Sequence, residues 1–298
     1  DKCANILVFI THHSKDSILI EEATLATMLP FEEITPITLD KGKEYYKLLE
    51  SIVEQLKDNI IPAEIDPIKE REKNWEQQDK IEKNLPAKDE EDLSTLPQEI
   101  IMMRQAIRAL EIVGQIIKNR KGSLPRTQLI DMVTELYFTA FRTIGFFGKL
   151  VTNTQDEIIE NLKNDSNEYE TKASMKERLN IFIQLFYLRF CLGIFSKVIH
   201  SVGLSELKEI FSEVAIKIGT PAAKVLSFSI NTCYGRMSYG ELQKIYKEMK
   251  SNPVVLRILK ARVKSYLYNN HVDYKKRQQI AELFNWQVAP SQSNKQLR

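Results

Sequence analysis

Two long apolar patterns at helical spacing, joined by a short polar turn, constrain this chain more than any other feature. They read QEIIMMRQAIRALEIVGQIIKN, then RKGSLPR, then TQLIDMVTELYFTAFRTIGFFGKLV, over residues 98–151. In the first, Met103, Ile107, Leu110, Val113 and Ile117 recur at steps of three and four, one face of an α-helix. Ile101, Ala109, Ile112 and Ile116 cover the adjacent face. A helix apolar over that width needs neighbours on two sides. Lys121-Gly122 is a stop, Ser123 is expected to cap the second helix, and Pro125 to lie in its first turn. The second helix carries Leu129, Met132, Val133, Leu136, Phe138, Ala140, Phe141, Ile144, Phe147 and Leu150. So short a turn makes the pair an antiparallel helical hairpin.

The flanking sequence extends this all-α plan. Asn5–Ile10 (NILVFI) is a short apolar run, readable as one short strand or as a helix end. Ser14 is expected to cap a helix through Met28, with Ile18, Leu19, Ala23 and Ala26 inward. Phe31–Leu39 reads as loop or edge strand. Asp40 is expected to cap a helix from Lys41 to Asn59 with Tyr45, Leu48, Leu49, Ile52, Val53 and Leu56 as its stripe. After the hairpin, Thr154–Glu157 and Ser174–Glu177 match capping boxes. They predict a short helix, a polar loop over 161–171, and a further helix to His200 with Leu179, Phe182, Phe186, Phe190, Ile194 and Val198 inward. Leu179–Ile199 is nearly long enough to span a bilayer, but Arg189 near its middle makes a buried core helix the better reading. Further on, Thr220-Pro221 and Asn252-Pro253 each pair a cap with a first-turn proline. Ser238–Glu241 is a third capping box, and Asp273 is expected to cap the last helix. Each cap–proline pair opens a long helix followed by a shorter one, the plan of an α-solenoid. The predicted organisation is a helical subdomain over 1–84, an acidic, proline-containing linker over 85–97, a helical-repeat domain over 98–286, and a disordered tail over 287–298.

The totals restrict the function classes. Forty-two basic residues stand against 40 acidic ones, a net charge of +2, so no global field draws the chain to nucleic acid or membrane. The three cysteines, Cys3, Cys191 and Cys233, are far apart, the usage of a reducing, cytoplasmic compartment. The first residues lack a basic start and a small-residue cleavage site, so no signal peptide is expected. Beginning at Asp1 without Met, the sequence reads as a fragment of something longer. Neither GxxxxGK[ST] nor GxGxxG occurs, and no catalytic, cofactor or metal residue is assigned. His12, His13 and Asp16 superficially resemble metal ligands, but no further ligand lies near in sequence, and a turn with a helix cap is preferred. His200 and His271 fall near helix C-termini, where an imidazolium suits the dipole.

Two surfaces are candidates for binding. Arg104, Arg108 and Glu111 share a helical face, either a solvated stripe or a partner surface. From Lys244 onward, twelve basic residues stand against three acidic ones, a balance of +9. There Tyr266, Tyr268 and Tyr274 interleave with Lys260, Arg262, Lys264, Lys275, Lys276 and Arg277. Such a set could bind phosphates and stack on bases, which gives nucleic-acid binding as the alternative function.

The stretches NILVFITHHSKDSILIEEATLATM and RALEIVGQIIKNRKGSL, with the closing VDYKKRQQIAELFN, resemble a family. They are similar to the region downstream of the nucleotide-binding core in large bacterial STAND NTPases, the NLR-like proteins of antiviral (anti-phage) defence. The resemblance is one of helical segments and covers most of the chain. It implies a sensor or scaffold end that recognises a protein partner such as a phage component, with self-association of the assembled protein. ATP and magnesium would belong to a core that this stretch lacks, and no ATP-site residue carries over.

Overall fold

The structure is a computed structural model and describes residues 31–43, 45–56, 60–61, 68, 96–165 and 169–289. The described chain is all-α. The expected strand or helix end at Asn5–Ile10, the helix over Ser14–Met28, residues His12, His13 and Asp16, and most of the acidic linker lie outside the described residues.

The central hairpin forms as expected. Helices α2 (Gln98–Arg120) and α3 (Arg126–Asp165) run from the same turn, and Leu110, Val113, Ile117, Leu136, Phe141 and Ile144 are buried between them and their neighbours. The turn differs in detail. The Ser123 hydroxyl donates back to the Arg120 carbonyl at 3.2 Å, so it serves the end of α2. The next helix opens after Pro125, whose carbonyl accepts from the Leu129 amide.

Helix α3 also runs past the boundary expected at Thr154. The Thr154 hydroxyl donates to the Leu150 carbonyl at 3.0 Å, a bond to the preceding turn that is available only if the helix continues. Helix α4 (Tyr169–Val202) likewise begins before the second capping box, so most of the expected polar loop is helical backbone. Gly114 of α2 sits against α4 so closely that a Cβ there would lie 2.5 Å from the Ser201 side chain.

Upstream of the hairpin, helix α1 (Tyr46–Gln55) is shorter than expected. Asp40 does not cap it. Its carbonyl accepts from the Lys43 amide in a turn around Gly42 (φ 76°), and α1 opens after Tyr45, itself at φ 60°. The register shift buries Tyr46 rather than Tyr45 beside Leu49, Ile52 and Val53.

Residues 35–40 form a strap outside the helices and the strand pair of the described residues, with Leu39 at φ 59°. Ile37 and Leu39 are buried. The Ile37 amide donates to the Phe141 carbonyl of α3 at 3.4 Å, and the Thr38 carbonyl accepts from the Ala222 amide at 3.1 Å.

Beyond α4 come α5 (Lys208–Ile218), α6 (Pro221–Cys233), α7 (Tyr239–Met249), α8 (Pro253–Asn269) and α9 (Tyr274–Phe284). All four expected caps are made. Thr220, Ser238, Asn252 and Asp273 accept from the amides of Ala223, Glu241, Val255 and Lys276. Helices α6 and α8 pack on each other, as do α7 and α9, giving two stacked long–short pairs.

The chain does not become irregular directly after Trp286. Gln287–Val288 (β2) pairs in parallel with Ile60–Ile61 (β1), and the Ala289 amide donates to the Ile61 carbonyl at 2.8 Å. The rest of the expected tail, from Pro290, lies outside the described residues. Ile37, Leu39, Tyr46, Leu49, Ile52, Val53 and Ile61 share one hydrophobic core with α2–α9.

Candidate partner-binding surface

The polar stripe on α2 is an interhelical ion network. Glu111 accepts from Arg108 at 2.6 Å and also from Lys197 of α4. Burial alone would raise the Glu111 carboxyl, but the hydrogen bonds from Lys197 and Arg108 outweigh it and hold the group below its ordinary value. Arg104 lies one turn earlier on the exposed side of α2. Of the three expected partner-binding residues, Glu111 therefore joins α2 to α4, and Arg108 supports it from within α2.

At the far end of α4, Lys118 of α2 donates to the His200 carbonyl at 3.0 Å. Lys118, not the imidazole, is thus the cation at this helix C-terminus. Partial burial, with Arg262, Lys118 and Lys197 nearby, holds His200 below its ordinary pKa, opposite to the imidazolium expected from position alone.

The basic C-terminal set does not form one surface. Arg277 is 1% exposed, and its guanidinium donates to the carbonyls of Val272 and Leu267, both at 3.0 Å, closing the end of α8. Arg262 donates to the Leu192 carbonyl of α4. Lys260 and Lys264, each two residues away, both lie about 160° from it around the same helix. Lys264 sits 5.3 Å over the Trp286 ring, and the Tyr266 hydroxyl accepts from the Met237 amide at 3.2 Å. Lys275 and Lys276 are exposed, Lys276 beside Asp273 at 3.6 Å, and Tyr268 is half-buried. A cleft of about 400 Å³ is lined by Arg236, Tyr239, Tyr266, His271 and Lys276, with Asp273 beside them. Among the described residues, no group of three or more His, Cys, Asp or Glu side chains stands close enough to share a metal ion.

The feature that sequence reasoning missed lies on α4. The residues expected inward, Phe182 and Phe186, are 64% and 50% exposed, and Leu185 is 39% exposed. Ile183, Tyr187, Leu188, Cys191 and Phe195 are buried in their place. The region 176–202 is long and apolar enough to cross a membrane by length and composition, and 33% of its apolar window is buried. It packs against α1, α2, α3 and α6, so its inner side belongs to the core. The exposed rings are held from below. Phe147 of α3 meets Phe186 edge-on at 5.5 Å and Phe190 at 4.0 Å, while Phe182 stacks parallel to Phe186 at 6.1 Å.

From Leu179 onward, helix α4 carries apolar residues on nearly every side, so periodicity alone gives it no phase. The charges do. Arg178 and Arg189 lie at four- and three-residue steps from Phe182 and Phe186, on the face that stays outside.

Comparison of the chain with protein-family models, with curated proteins and with solved structures finds no match in any of the three.

Proposed function

We propose that this chain is a helical recognition scaffold that binds a protein partner, and that it works as the sensor end of a STAND-like defence protein in the cytoplasm. One observation carries the recognition reading: a continuous aromatic row, Phe182 and Phe186 with Leu185, stands exposed on a helix whose other side is locked in the core. Apolar groups grouped this way on a rigid element mark an interaction surface. The resemblance of the helical segments supports the defence context, in which partner binding would be coupled to oligomerisation. ATP and magnesium would act in other parts of the assembled protein. The nucleic-acid reading is weaker, because Arg277, Arg262 and Lys264 are engaged within the fold.

The test is a challenge of bacteria carrying the complete gene with a panel of phages. Protection is expected, and Phe182→Ala/Phe186→Ala should abolish it while the protein melts as the wild type does. Absence of protection against every phage in the panel, or protection untouched by the double variant, overturns the reading.

A further inference from the structure

The exposed face of α4 is more specific than an apolar patch. Arg178, Phe182, Leu185, Phe186 and Arg189 fall along one line of the helix, and the outer position one turn further on is Gly193. A Cβ at Gly193 would meet nothing within 4 Å, so the row ends on open, level ground. From Arg178 to Arg189 it spans about 16 Å, three helical turns. Both arginines are exposed, and the charges stand in line with the apolar group, one at each end.

We propose that this row seats an amphipathic helix from a partner protein, carrying an apolar ridge bracketed by Asp or Glu about three turns apart. The inference rests on the recognition reading above and adds the chemistry of the partner.

The arrangement of charge selects among occupants. A second copy of this chain packed antiparallel about a two-fold axis would bring Arg178 opposite Arg189 of its mate, like charges at both ends. A lipid surface would need no register between two in-line cations. A helix with carboxylates at matching spacing satisfies both ends while its ridge covers Phe182 and Phe186. The aromatic rings supply the contact area, and the arginines supply orientation and discrimination.

The experiment uses the whole chain and fluorescence anisotropy. The probe is a labelled helical peptide of about 18 residues, with leucines at steps of three and four and a glutamate beyond each end of that ridge. Its twin carries lysine in place of both glutamates. The glutamate peptide should bind at least about tenfold more tightly than its twin. Phe182→Ala/Phe186→Ala should abolish binding, and Arg178→Glu/Arg189→Glu should invert the preference, with melting unchanged in each variant. Equal affinity for the two peptides would overturn the inference. So would binding to phosphatidylserine vesicles with no peptide bound. Self-association by sedimentation that disappears in Phe182→Ala/Phe186→Ala would place a second copy on the row and overturn it as well. Failure on charge alone leaves the recognition reading standing, because the phage challenge tests that separately.

Discussion

Asn252 ties three parts of this molecule together. Its Oδ1 caps α8 by accepting from the Val255 amide at 3.1 Å and also accepts from the buried Tyr46 hydroxyl at 3.3 Å. Its Nδ2 donates to the Leu39 carbonyl of the strap at 2.7 Å. The cap was legible in the sequence, because Asn before Pro at a helix start is a local signal. The other two partners were not, since Tyr46 and Leu39 lie more than 200 positions away. Asn252→Ala removes a cap worth about 1 kcal/mol and strands two buried polar groups at roughly 1–3 kcal/mol each. A loss of about 3–7 kcal/mol is expected in chemical denaturation. Asn252→Asp keeps the cap and the tyrosine acceptor but loses the donor to Leu39, so it should fall between wild type and Asn252→Ala. An Asn252→Ala protein as stable as wild type would show that the strap is held by Ile37 and Leu39 packing alone.

Between elements, the α2–α4 seam combines close backbone approach at Gly114 with the Arg108–Glu111–Lys197 network. Glu111 makes the seam sensitive to acid. Its folded carboxyl lies below the ordinary value of 4.5. Its contribution is therefore complete above that ordinary value and is lost as pH falls through the lowered folded value. The wild-type melting temperature should drop across that acid window, and Glu111→Gln should flatten that part of the profile. An identical acid profile in Glu111→Gln would remove Glu111 from the stability of the seam. Which elements were legible follows from where their signals sit. The hairpin and the stacked pairs over 221–284 are local patterns punctuated by Gly, Pro and caps, and they are found where expected. Thr154 illustrates the opposite case. Its capping-box spacing reads as a start, but the packing of α3 carries the helix through, and the hydroxyl turns back to Leu150. The phase of α4 was hidden for another reason: both faces are apolar, so the periodicity is mute and the signal rests on Arg178 and Arg189. Within the two candidate polar surfaces, Glu111, Arg262 and Arg277 are engaged inside the fold, and sequence spacing does not show which carbonyl an arginine will reach.

For the whole molecule, the central question is whether residues 31–61 melt with the helical array or apart from it. The acidic segment suggests a boundary, and charge runs of this kind are common between independent units. The packing points the other way. Helix α1 lies against α4 and α8, the strap bonds to α3, α6 and α8, and β1 pairs with β2 beyond the last helix. Leu49 is fully buried on the inner side of α1. Truncating it to Ala should cost about 2–5 kcal/mol through lost transfer energy and the cavity left behind. In a chain this size that lowers the melting temperature by roughly 5–15 °C. If the two parts are one cooperative unit, calorimetry of Leu49→Ala shows a single transition displaced as a whole. Amides of α8 should then exchange faster in step with those of α1, because both open through the same event. Had residues 31–61 been an independent unit, the substitution would split off a small early transition and leave the main one, with the protection of α8, where it was. That outcome would mean that the strap, the Asn252 bonds and the parallel ladder dock a separate module and do not build the core.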